Sequence, residues 1–125
     1  MRWLVDASNV IGSRPDGWWR DREGATRRLI ADLETFAAAT GEPVTVVLDA
    51  GPAELADHAG DVEVVIARRR GRDAADDEIV VLLEAAPDAS ATRVVTSDSA
   101  LVARARTLGA AVEGAGQFRG RLDRS

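Results

Sequence analysis

A chain of 125 residues has material for one hydrophobic core and not for two. With no cysteine and a single histidine it cannot build a disulfide framework, a thiol nucleophile or an ordinary Cys/His zinc site, so any metal it holds is held by oxygen. Its formal charge is −5, and all 16 cations are arginines because lysine is absent, which removes Schiff-base chemistry and the phosphate-binding lysine of Walker motifs.

Short β-rich runs alternate with helix-period segments. Arg2 to Val5 reads as a strand that stops at Asp6, followed by a loop from Ala7 to Asp21. A helix runs from Arg22 to Thr40, with Leu29, Leu33 and Phe36 on one face and Gly41 and Pro43 as stop signals. Val44 to Leu48 is a second strand ending at Asp49. A short helix around Ala53 to His58 leads to a third strand, Val62 to Ile66, and then to a basic loop, Arg68-Arg69-Arg70-Gly71-Arg72. Asp73 is placed to cap the next helix, Ala74 to Ala86. A fourth strand, Arg93 to Thr96, runs through Ser97-Asp98 into a helix from Ser99 to Leu108, and a brief fifth strand spans Ala111 to Glu113.

Continuous apolar strands separated by helices predict a parallel sheet covered on both faces. The expected fold is a three-layer α/β sandwich around a central, mostly parallel sheet of four to five strands. Residues 1–115 make up the domain, with 116–125 as a basic, loosely held tail. The longest run of large apolar side chains is Ile79 to Leu83, closed by Glu78 and Glu84, so the expectation is a soluble cytoplasmic protein.

In an open parallel sheet the strands deliver their C-terminal ends to one edge, where ligands bind near the reversal of strand order. Asp6, Asp49 and Asp98 each follow a strand closely, and Asp76 and Asp77 lie in the first turn of a helix that starts at the same edge. These five acids match the whole net charge of the chain. Helical spacing puts Asp76 on the face of Ile79, Val80 and Leu83, and Asp77 in line with Glu84. Each acid has a plain structural use as a helix cap, a dipole partner or a strand terminator. Gathered together they repel by roughly 1 to 4 kcal/mol per close pair, which a hard divalent cation offsets. Carboxylates with an amide such as Asn9 suit Mg²⁺ or Mn²⁺.

The segments Asp6-Ala7-Ser8-Asn9-Val10-Ile11-Gly12, Val47-Leu48-Asp49, Ala75-Asp76-Asp77-Glu78-Ile79 and Val95-Thr96-Ser97-Asp98, taken as an ordered set, resemble the YacP-like NYN domains, a branch of the PIN-like metal-dependent ribonuclease superfamily. The resemblance covers nearly the whole chain and departs from the family at Ala7-Ser8, where members usually carry Gly-Tyr. It implies a sheet in the order 3-2-1-4-5. Asp6, Asp76 and Asp98 would be the metal-binding acids, with Asp77 a further candidate, and Asn9 and Asp49 would complete the catalytic pocket. The implied substrate is single-stranded RNA, cleaved internally, and the implied setting extends to the ribosome.

On that reading, acids around Mg²⁺ or Mn²⁺ activate a water and neutralise the leaving oxygen without a protein nucleophile. An acidic RNA-binding protein must supply positive charge locally. Arg68, Arg69, Arg70 and Arg72 form such a patch on the same rim, or else a solvated loop. Arg14, Arg20 and Arg22 flank Trp18-Trp19, which offer stacking planes for bases or a hydrophobic lid over the first long helix. Ser97 is a further candidate for RNA contact. Trp3 reads as core and His58 as surface, while Arg119, Arg121 and Arg124 read as a weak electrostatic arm or as nothing. The competing classes are a PIN-like module that binds RNA or a partner without turnover, and a von Willebrand A-like metal-dependent binding module, whose Asp-x-Ser-x-Ser pattern Asp6-Ala7-Ser8-Asn9 partly echoes.

Overall fold

The structure is a computed structural model and describes residues 1–58, 60–71 and 73–124. Strands β1 (Arg2–Asp6), β2 (Val44–Leu48), β3 (Val62–Ile66), β4 (Thr92–Val95) and β5 (Ala111–Glu113) form one sheet in the order β3-β2-β1-β4-β5, every neighbouring pair parallel. Helices α1 (Ala7–Ile11), α2 (Arg22–Thr40), α3 (Ala74–Ala85), α4 (Ser99–Thr107) and α5 (Ala115–Asp123) cover its two faces. This is the three-layer α/β sandwich that the apolar runs predict, with the sheet parallel throughout and five strands wide.

The pleat of β1 sorts the interior into two cores. Trp3 and Val5 point to one face, where Leu29, Leu33 and Phe36 of α2 and Phe118 of α5 meet them; Leu4 points to the other, against Ile79 and Leu83 of α3 and Leu101 of α4. The first core centres on three rings, with Trp3, Phe36 and Phe118 at centroid separations of 5.3 to 5.4 Å. All five residues of β2 are buried, as befits an interior parallel strand.

Helix termini follow local chemistry. The Asp21 carboxylate accepts the Gly24 amide at 3.0 Å to open α2, and Gly41, at φ 69°, closes it by donating to the Ala37 carbonyl. Asp73 occupies the cap position of α3, but its side chain makes no capping bond. The expected loop after β1 begins instead with the short helix α1, and single 3-10 turns form at Trp18–Arg20, Ala53–Asp57 and Ala89–Ala91.

The C-terminal segment corrects the sequence reading. Residues expected to be a loose tail fold into α5, which buries Ala115, Phe118 and Leu122 against α1 and α2. Among the described residues no helix is long and apolar enough to cross a membrane.

Candidate active site

Strand order reverses between β1 and β4, and the register that pairs Val5 with Val95 sets Asp6 beside Thr96 at the C-terminal edge. Asp6 is 1% exposed. Its Oδ2 accepts the Thr96 hydroxyl at 3.0 Å and its Oδ1 accepts the Ser8 hydroxyl at 3.3 Å. Burial pushes the Asp6 carboxyl above the usual aspartate range, against the hydrogen bonds from Thr96, Ser8 and the Asn9 backbone, and the charge of Asp98 adds to the rise.

Thr96 is fully buried and works in both directions. While donating to Asp6, its Oγ1 accepts the Asp98 amide at 3.1 Å, so one hydroxyl spaces two carboxylates. Asp98 itself caps α4, its Oδ1 accepting the Leu101 amide at 2.9 Å. Capping and membership of the acid group coexist here, because one carboxylate oxygen performs the cap.

Asp76 comes to the same place from the first turn of α3. Its side chain makes no hydrogen bond or ion pair among the described residues. Partial burial, then the charges of Asp6, Asp98 and Asp73, raise its carboxyl to about 6, with Arg104 offsetting part of the rise. Asp6, Asp76 and Asp98 therefore feel one another's charge across one small region.

The other expected acids go elsewhere. Asp77 pairs with Arg104 at 3.0 Å, both half exposed, and lines a groove of about 460 Å³ along α3 with Arg68, Arg69 and Glu84. Asp49 is exposed at the end of β2; its Oδ1 accepts the Ala50 amide at 3.0 Å, and it edges a separate pocket of about 250 Å³ that includes Trp18. Asn9 accepts the Ser97 amide at 2.9 Å, while the Ser97 hydroxyl accepts the Ala115 amide at 2.8 Å. Those two bonds staple α1, the β4–α4 turn and the start of α5 into one rim.

The basic residues divide in the same way. Arg68 is locked to the buried Glu78 by its amide, Nε and Nη2, at 3.1 to 3.2 Å, a use of both residues that the sequence reading did not anticipate. Arg69 and Arg70 are exposed and have no ion-pair partner among the described residues; Arg72 lies outside those residues. Arg14 pairs with Asp123 of α5. The Arg22 guanidinium lies 5.4 Å from the Trp18 ring centroid, and Trp19 stands edge-on to Trp18 with half its surface exposed. His58 pairs with Glu34 of α2, which also accepts the Asp61 amide and so ties down the turn before β3.

The donors around the reversal point are all oxygens, which suits a hard divalent cation. Among the described residues no three His, Asp or Glu side chains are arranged as a ready donor set. Mg²⁺ does not require one, since it keeps several waters and is commonly held by one or two carboxylates together with substrate phosphate. Asp76, unpartnered among the described residues and with its proton affinity raised by two further carboxylates, has the chemistry of such a site.

A parallel sheet in this order, with carboxylates at its reversal point, is the architecture of PIN-like nuclease domains. The chain matches the YacP-like NYN domain over residues 3–125 and belongs to that family. The crystal structure of Rae1 (YacP) from Bacillus subtilis superposes with a TM-score of 0.82 at 26% identity, covering 99% of this chain and 74% of that one. A single-residue mutant of the same protein gives 0.78 at 26% identity, with 99% and 75% covered. No curated protein matches the sequence. The family is nuclease-like, which favours an enzyme over a von Willebrand A-like binding module.

Thr96, Ser8 and Glu78 are the site residues that sequence reasoning did not assign. All three stood inside the segments that carry the resemblance, and for Thr96 and Ser8 the signal was a hydroxyl within two residues of an acid at a strand end.

Proposed function

We propose that this chain is a divalent-metal-dependent endoribonuclease acting on single-stranded RNA, with Asp6, Asp76 and Asp98 holding Mg²⁺ or Mn²⁺. The observation that carries the proposal is Asp76: a half-buried carboxylate without a partner among the described residues, its proton affinity raised by burial and by Asp6 and Asp98. When bound, the metal supplies a water of lowered pKa and charge neutralisation on the leaving oxygen. Thr96 and Ser8 hold both oxygens of Asp6, which fixes its plane, and the α4 cap fixes Asp98. Asn9 and Ser97 keep the surrounding turns in register, so they are positioning residues. Arg69 and Arg70, without an ion-pair partner among the described residues, draw the phosphate backbone to this edge from the loop after β3, and Arg22 reinforces the opposite bank, while Arg14 is taken up by Asp123. Asp77, already paired with Arg104, contributes to the field and not as a direct ligand.

The test is incubation of the purified chain with end-labelled single-stranded RNA and Mn²⁺, beside Asp6→Asn and Asp76→Asn. Internal cleavage by the parent chain and its loss in both variants is the expected result. Equal cleavage by all three would mark a contaminant. A second reading, an RNA-binding PIN-like module without turnover, is favoured by the lack of a ready three-carboxylate set among the described residues; binding without cleavage in the same assay would select it.

A further inference from the structure

The pocket beside Trp18 is distinct from the acid group but shares a wall with it. It is bounded by Ala7, Ser8, Trp18, Thr26, Leu48 and Asp49, and encloses about 250 Å³. Ser8 belongs to both places, since its hydroxyl donates to Asp6. A group seated in this pocket therefore lies next to the proposed reaction centre.

Apart from the Arg22 guanidinium, which also lines the pocket, its polar side-chain atoms lean toward accepting. Ser8 spends its hydrogen on Asp6 at 3.3 Å, and Thr26 spends its own on the Arg22 carbonyl at 2.9 Å. Both hydroxyl oxygens can still accept. Asp49 is acceptor-only when ionised; one oxygen takes the Ala50 amide and the other has no partner among the described residues. The remaining wall is flat and π-rich, the Trp18 ring with the Arg22 guanidinium 5.4 Å from its centroid. Unpaired bases stack on such planes and are read along their Watson–Crick edges.

A planar ligand entering an acceptor-rich pocket must bring donors, and a carboxylate is best met by two neighbouring N–H groups. Among the RNA bases only guanine presents two adjacent donors, N1–H and the N2 amino group, on one edge; adenine, cytosine and uracil each present one donor group there. Guanine also leaves O6 for the Arg22 guanidinium. We infer that the Trp18–Asp49 pocket is a guanine-reading subsite, which places a guanine of single-stranded RNA beside the Asp6 group. The inference rests on the RNA reading above and adds a sequence preference to it.

The test separates the subsite from catalysis by measuring binding with EDTA present. Short single-stranded RNAs identical except for one central guanine, inosine or adenine are titrated into the full chain, followed by tryptophan fluorescence and by anisotropy of labelled RNA. Inosine keeps N1–H and lacks only the N2 amino group. The guanine strand should bind about tenfold more tightly than either other strand, and Asp49→Asn should bring all three to similar affinity. Equal binding of the three strands by the parent chain, absence of binding to any, or a guanine preference that survives Asp49→Asn would each overturn the subsite. Saturation by free GMP at the same concentration as the guanine strand would make a nucleotide the ligand and overturn the strand reading. Cleavage in Mn²⁺ is scored separately, so a guanine preference without cleavage retains the subsite and removes the nuclease, and cleavage without preference does the reverse.

Discussion

Asp76 is held in a place that suits a cation and not itself. Its carboxyl sits at about 6, so the folded chain binds its proton more tightly than the unfolded chain, whose value is near 4. Between about pH 4 and about pH 6 the native state therefore carries more protons, and stability falls as pH rises across that window. Asp6 is raised too and acts in the same sense. Asp76→Asn should melt higher than the parent at pH 7 without metal and should lose most of this pH dependence. Millimolar Mn²⁺ should raise the melting temperature of the parent and not of the variant. A variant that falls as steeply with pH as the parent would remove Asp76 from the cluster. Thr96 is the complementary case, since Thr96→Val keeps the shape and deletes a buried hydroxyl that serves Asp6 and Asp98 together. Urea unfolding at pH 7 should show a loss of about 1–3 kcal/mol. At this scale the acids were legible because each sits at an element boundary where no core demand explains it, whereas Thr96 was hidden because a β-branched residue ending a strand already has an ordinary reason to be there.

The elements were legible wherever a hydrophobic period was long or a run continuous, which covers all five strands and α2, α3 and α4. The two helices that were missed had weaker signals for different reasons. Helix α1 has five residues, begins directly after β1 and ends at Gly12, so it offers barely one period. Helix α5 carries its apolar residues at 115, 118 and 122, a helical spacing, but Gly116, Gly120 and the arginines between them dilute it. Its energetic weight is nevertheless large, because Phe118 is completely buried and closes the ring cluster on Trp3 and Phe36. Phe118→Ala should cost about 3–5 kcal/mol in equilibrium unfolding. The consequence extends to the rim, because the first turn of α5 holds Ser97 through the Ala115 amide. A loosely held tail would instead leave both stability and amide exchange at 115–122 unaffected by that substitution.

At the scale of the whole molecule the problem is how an acidic chain holds a polyanion. Strand order followed from the family resemblance and the shared edge from the parallel sheet itself, but which arginines remain available was not legible, because ion pairing depends on side chains brought together by the fold. Arg68 is committed to Glu78, whose burial needs the partner, and Arg14 to Asp123, while Arg69 and Arg70 have no ion-pair partner among the described residues. Substitutions within one loop should therefore separate cleanly. Arg69→Glu with Arg70→Glu should leave the melting temperature nearly unchanged, weaken RNA binding, and lower the slope of log affinity against log salt by about 0.7 for each single-strand phosphate that the loop no longer neutralises. Arg68→Ala should do the opposite, lowering the melting temperature by stranding Glu78 in the interior while changing the salt slope little. Equal salt slopes for the parent chain and the double variant would place the RNA path off this loop, and the positive field would then have to come from Arg20 and Arg22 on the opposite side of the acids.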